Sequence, residues 1–247
     1  MERIRKLLPQ TQATRRLSQQ HKLTFHWNAP EGQKRPLPVR RLSPTRPVPP
    51  PAMMGLVPVP FDFTHNMLLL CQDIISRTPE LQHIDMNKVL VCVTRARSRR
   101  LHGLQAKVTP LRFKHGERTQ SRRGWNYQVQ QYFVNNIEML YLLSFCLPRF
   151  QDLHFNEKMV TIVHELFHMA PEFNGDLRRH EGRYYQHSHS KKKYDAEMQK
   201  YVDAYWMTKP DPATSHFLQF TFEQLHERHG SVLGVMVPVP KLVPLLG

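Results

Sequence analysis

Ten residues in the second half of the chain constrain its fold more than any other stretch: Met159-Val-Thr-Ile-Val-His-Glu-Leu-Phe-His168. Wound at about 100° per residue, they divide into two sides. Met159, Ile162, Val163 and Leu166, with Met169 just beyond, gather on one side, an apolar back that must be buried against other elements. His164 and His168, one turn apart, fall opposite, in a sector of roughly 60° that also holds Glu157 and Thr161. Glu165 lies roughly 100° from His164, beside the imidazole pair rather than stacked with it. The pattern predicts a helix from Glu157 to about Ala170, with Asn156 as its N-cap and Pro171 as its breaker. Two imidazoles at this spacing can reach one ion. Zinc with three protein ligands keeps a fourth position for water and lowers that water's pKa towards ~7. A carboxylate beside the water can take its proton, which is the logic of an HExxH pattern. Chance placement of the 15 histidines and the glutamates yields only ~0.04 such matches. His226-Glu-Arg-His229, one residue short, is what an accidental pair looks like, and it is expected at the surface.

The rest of the chain supplies a core for that helix. Hydrophobic residues make up 40%, which excludes a wholly disordered chain. No run approaches the ~18 apolar residues of a membrane span. A first helix is expected from an N-cap at Thr64, with Met67, Leu70, Cys71, Ile74 and Ile75 as its stripe and Thr78-Pro79 as its end. Val89–Val93 reads as a buried strand and Leu104–Val108 as a half-exposed one, with Leu111–Phe113 continuing the sheet. Tyr127–Val134 and Glu138–Phe145 are further strands, and Arg95, Arg97 and Arg99 share a face if the first strand runs on. Ser190 could cap a helix striped by Tyr194, Met198, Tyr201, Val202 and Tyr205. Phe217–His229 ends the helices with Gly230 beyond it, and Val232–Val239 returns as a strand.

Charge is uneven. Net charge is +15, yet the first 60 residues carry 11 Lys/Arg against 2 Asp/Glu, and 11 of the 20 prolines. Residues 1–55 therefore read as a disordered, basic, Pro-rich arm, and 56–247 as the folded domain. The arm is a candidate contact for nucleic acid or another anionic partner. The N-terminus has no apolar core for a secretory signal, although its Arg-rich opening keeps a transit peptide open. Three cysteines without a CxxC argue against a disulfide framework and for a reducing, cytoplasmic setting.

A third metal ligand must come from beyond Pro171. The short metzincin spacing would need histidine at 174, where the chain has Asn174. Glu197, a thermolysin-like possibility, flanks the tyrosine stripe and is expected to face solvent. His187 is favoured because it lies just ahead of the helix that Ser190 would cap; His180, His189 and Asp176 stay open. Asp176 with Arg178 and Arg179 reads as a salt-bridged turn, or as a partner of a ligand imidazole or an oxyanion donor; Tyr184 and Tyr185 are other such donors.

Phe61-Asp-Phe-Thr64, His102-Gly-Leu-Gln-Ala106, Thr109-Pro-Leu-Arg-Phe113, Leu147-Pro-Arg-Phe150, His164–His168, Pro171–Arg179 and Tyr194-Asp195 resemble a bacterial family of metallopeptidases, over roughly residues 57–245. The order of elements is also similar to the SprT-like proteases, in which a His-Gly ahead of a helix gives the third ligand. The matching pair here is His187-Ser188. The resemblance implies an α+β, zincin-like domain with a small mixed sheet. It also implies Zn2+ on His164, His168 and His187, and a metal-bound water deprotonated by Glu165 to attack a protein or peptide substrate. In zincins the strand before the active-site helix often borders the cleft, and Glu138–Phe145 would hold that place. Two other classes fit the same residues: a nucleic-acid-associated protein with a structural metal, and a metal-dependent hydrolase of non-peptide amides.

Overall fold

The longest apolar runs of the sequence assemble into a central three-stranded sheet covered on both faces. The protein is seen in a computed structural model that describes residues 24–27, 35–36, 38–43, 59–96, 103–179 and 191–245. In chain order its first elements are β1 (Thr24–Trp27), β2 (Arg35–Pro36), β3 (Val39–Leu42), β4 (Phe61–Asp62), α1 (Phe63–Arg77), β5 (Val89–Arg95) and β6 (Ala106–Pro110). Then come β7 (Thr119–Arg122), β8 (Trp125–Val129), β9 (Tyr132–Val134), β10 (Ile137–Glu138), β11 (Tyr141–Leu147) and α2 (Phe155–Phe167). The last are α3 (Lys191–Met207), α4 (Pro212–Ser215), α5 (Phe222–His229), β12 (Val232–Val235) and β13 (Leu242–Pro244). The architecture is mixed α+β, with several helices around small sheets.

The central sheet runs β5-β11-β6, with β11 parallel to β5 and antiparallel to β6. Leu143 sits between Val91 and Val108 in register. Val91, Val93, Val108, Tyr141, Leu143 and Phe145 join one cluster with the buried sides of α1 and α2. Leu90, Cys92 and Leu142, on the other face, pack with Leu111, Tyr132, Met139 and Val235. Burial on both faces explains why β11 reads as a continuous apolar run. It also moves the expected strand: the ladder is Tyr141–Leu147, while Ile137–Glu138 is a separate short strand paired with β9.

Other boundaries shift for local reasons. Asp62, not Thr64, caps α1, accepting from the His65 N–H at 3.0 Å. Thr64 is buried, and its hydroxyl accepts from the Val235 N–H at 2.9 Å. Thr78 ends α1 as expected. Leu111–Phe113 leaves the sheet, and the Tyr127–Val134 run breaks into β8 and β9. The expected Phe217–His229 helix starts later, where Thr221 and Gln224 form a capping box, and ends on the left-handed Gly230. Val232–Val235 then pairs with both β3 and β4. At Gly234 a Cβ would lie 2.6 Å from Val93 Cγ2, so only glycine lets β12 approach β5. Within the stretch read as an arm, Val39–Leu42 is a strand and Leu42 is buried; β1 and β2 also pair there. Order thus enters the chain before Leu56, because β12 offers a free edge that composition does not reveal. Most of residues 1–55, and Arg97 and Arg99, lie outside the described residues.

Candidate metal centre

α2 carries the site. Met159, Ile162, Val163 and Leu166 are fully buried on its back, as their spacing predicts. The helix starts at Phe155, one residue before the expected cap, and Glu157 accepts from the His154 N–H at 3.0 Å. Asn156 instead bonds Gln199 of α3 at 2.7 Å. The helix closes sooner than Ala170, with His168 at its C-cap. The chain then doubles back: Met169 bridges Leu177, the Arg178 N–H donates to the His168 carbonyl at 2.7 Å, and Arg178 Nε donates to the Phe167 carbonyl at 2.8 Å. The Arg178 guanidinium also lies 4.0 Å over the Phe167 ring. A cation on the last carbonyls is a C-terminal cap, so Arg178 is engaged in holding the helix end.

On the front, His164 Nε2 and His168 Nε2 face each other at 2.8 Å, both rings half-buried. Glu165, between them in sequence, is 9% exposed. Its Oε2 accepts from the Val108 N–H on β6 at 2.7 Å. Burial pushes its carboxyl up to about 7, against the smaller opposing effects of that N–H and of Lys107. His164 Nδ1 lies 3.8 Å from Asp195 Oδ1 on α3. A cleft of about 550 Å³ opens here, lined by Leu104, Ala106, Val160, His164, Glu165 and Asp195 among others.

β6, not the strand expected from Glu138–Phe145, borders this cleft. β11 is the middle strand, flanked on both sides, whereas β6 pairs only with β11 among the described residues. Gln105 bonds the β11 side through Cys146, while the Val108 N–H points to Glu165. By strand alternation the Ala106 amide group therefore faces the open edge.

Asp176 proves to belong to a turn rather than to the imidazoles. It accepts from the His115 N–H at 2.9 Å and the Leu177 N–H at 2.8 Å, and pairs with Arg179 at 3.0 Å. Burial would raise its carboxyl, but Arg179 and the two N–H donors outweigh that and hold it below the usual range. Tyr141 fixes the same turn, its hydroxyl donating to the Asp176 carbonyl and accepting from the Gly175 N–H. Glu197 is exposed, as expected. His226 and His229, expected at the surface, are buried and half-buried instead. His187, His180, His189, Tyr184 and Tyr185 lie outside the described residues. Among the described residues no group of three His, Cys, Asp or Glu could hold an ion.

Sequence reasoning gave no role to two partners of the site. One is the Val108 N–H, a backbone group invisible in a residue pattern. The other is Asp195, whose signal is a carboxylate three residues before the fully buried Met198, at the border of the buried side of α3. Paired imidazoles and a buried carboxylate are donor types that metal-dependent hydrolases use.

Residues 68–205 match the family described as "Putative phage metallopeptidase", and the chain belongs to that family. This agrees with the resemblance to bacterial metallopeptidases carried by the His164–His168 segment. No curated protein and no solved structure matches the chain. All three cysteines are free and buried. Among the described residues no helix is long and apolar enough to cross a membrane.

Proposed function

We infer that the chain is a zinc-dependent peptidase of zincin-like design. The observation that carries this is the 2.8 Å approach of the two Nε2 atoms beside a buried carboxylate. His164 and His168 would hold the ion, with His187 as third ligand. When bound, Zn2+ polarises a carbonyl and makes water acidic enough to act as a nucleophile near neutral pH. Asp195 lies 3.8 Å from the ring nitrogen of His164 that the ion would not use, placed to orient that ring on a closer approach. Glu165 acts as general base and then general acid. The Val108 N–H occupies its Oε2, so Oε1 is the atom that takes the proton and returns it to the leaving amine. The open edge at Ala106 can pair with an extended peptide, holding the scissile bond along the cleft. Metal analysis of the purified chain tests the centre: about one zinc per chain is expected, and none at neutral pH removes the reading. The third ligand has its own test. His187→Ala should lower zinc affinity more than His180→Ala or His189→Ala, and the reverse order reassigns it.

A further inference from the structure

Outside the residues that line the cleft, the sheet β13-β8-β7 is built differently from the central sheet. None of its residues is buried. Its alternation is nevertheless that of a sheet with a face to cover. Arg122 pairs with Trp125, Gln120 with Tyr127, Tyr127 with Pro244, and Val129 with Leu242. Directly opposed residues share a face, so Trp125, Tyr127, Leu242 and Pro244 lie together, with Arg122 and Gln120 beside the two rings; Val129, at the end of the same face, packs against the second core cluster. The other face holds Thr119, Ser121, Asn126 and Gln128, with Val243 as its one apolar member. An antiparallel sheet normally turns its apolar face to the core. Here Trp125 is 56% and Leu242 44% exposed.

Charge indicates what covers it. From Arg118 to Val129 the chain holds three arginines and no acid, and Lys241 precedes β13. Glu138, which faces this region, is already paired with Arg112 and Arg118. The β7–β8 turn places Arg123 at φ 49° and Gly124 at φ 78°. A Cβ at Gly124 would meet nothing within 4 Å, so the turn is open on that side. Two aromatic rings on alternate residues of one strand are about 7 Å apart, a spacing that one nucleotide of an extended strand can bridge. Aromatic platforms flanked by arginine bind single strands because every base has a face to stack and every linkage a phosphate.

We propose that the β7–β8–β13 face binds single-stranded nucleic acid, with Trp125 and Tyr127 stacking on bases and Arg122 and Arg123 on phosphates. This stands apart from the peptidase reading and survives its failure. The test is fluorescence anisotropy of the full chain with labelled oligothymidylate at low salt, followed by a salt titration. Trp125→Ala should weaken binding about tenfold, and Trp125→Phe should restore most of it. Arg122→Ala/Arg123→Ala should weaken binding and flatten its salt dependence by one to two counter-ions, about 0.7 each. The basic N-terminal segment is common to all these chains, so their ratios isolate the sheet. Equal binding by Trp125→Ala and the unaltered chain overturns the proposal. So does tighter binding of a duplex, or polyglutamate competing as well as oligothymidylate. A Trp125-dependent dimer seen by sedimentation would assign the face to a second copy of the chain instead.

Discussion

Two histidine pairs on two short helices meet opposite fates. His164 and His168 on α2 turn their Nε2 atoms to each other at 2.8 Å. On α5, His226 Nε2 ends on the Leu42 carbonyl at 2.6 Å and His229 Nδ1 on the Val59 carbonyl at 3.2 Å. Both spacings place the rings on one side of a helix, so spacing alone does not separate them. What lies opposite does. α5 faces β3 and the strand entry at Val59, whose carbonyls take its two imidazoles. The front of α2 faces a cleft, where the two rings turn to each other rather than to backbone carbonyls. A histidine spent on a backbone carbonyl holds structure; a pair whose nitrogens converge on a cleft has the arrangement that the proposed metal role needs.

The largest effect tests what the converging pair is for. Glu165→Gln keeps an oxygen for the Val108 N–H and should keep zinc, while peptide turnover falls about 100- to 10,000-fold. Assay of kcat beside metal content checks it, and retained turnover removes Glu165 as the base.

Next, the two pairs should fail in different ways. His168→Ala should release the metal. His226→Ala should leave metal content unchanged and lower stability by about 1–2 kcal/mol, because a buried hydrogen bond to the Leu42 carbonyl is lost. Denaturant melts with metal analysis on both variants separate the outcomes. Loss of zinc in His226→Ala would erase the distinction drawn above.

A smaller effect follows from pH. Burial lowers the pKa of His226 below 6.5, with the Leu42 carbonyl opposing and Arg41 assisting; burial does the same to His229. The unfolded chain therefore binds more protons than the folded one between those lowered values and about 6.5. The stability these groups supply is complete above that window and is lost as pH falls through it. His226→Gln, which can still donate to the carbonyl, should make the acid limb of the stability curve shallower.

The same contrast shows what a sequence discloses. The two sides of α2 were legible because periodicity is local: 3.6 residues per turn places Ile162 and His164 apart without reference to the rest of the fold. The fate of His226 was not, because Leu42 is 184 residues away and nothing in either segment names the other. β11 was found as a strand yet assigned to the wrong place in its sheet, since burial on both faces reads as a run without direction. The Val108 N–H that holds Glu165 has no side-chain signature at all. The arm reading failed at Val39–Leu42 for a similar reason: flanking prolines outweigh a four-residue strand whose partner lies at the far end of the chain.

The back of α2 offers the subtlest test, because it too carries a polar group tied to carbonyls. Lys158 is 2% exposed, and its ammonium donates to the Leu218 carbonyl at 2.7 Å and the Phe220 carbonyl at 3.0 Å. Burial pulls its pKa down to about 8 from an ordinary 10.5. Between those values the unfolded chain holds the extra proton, so stability rises with pH across the window and is flat below it. Lys158→Met removes a charge that is penalised when buried and also leaves the Leu218 carbonyl without that donor. These effects oppose each other, so the net change at neutral pH is within about 1 kcal/mol. The slope between pH 8 and 10.5 is what should change, becoming flatter in the variant while zinc content and kcat stay as they were. Altered kcat would show that the two sides of the helix are coupled, and that a carbonyl-bound polar group can shape the metal centre after all.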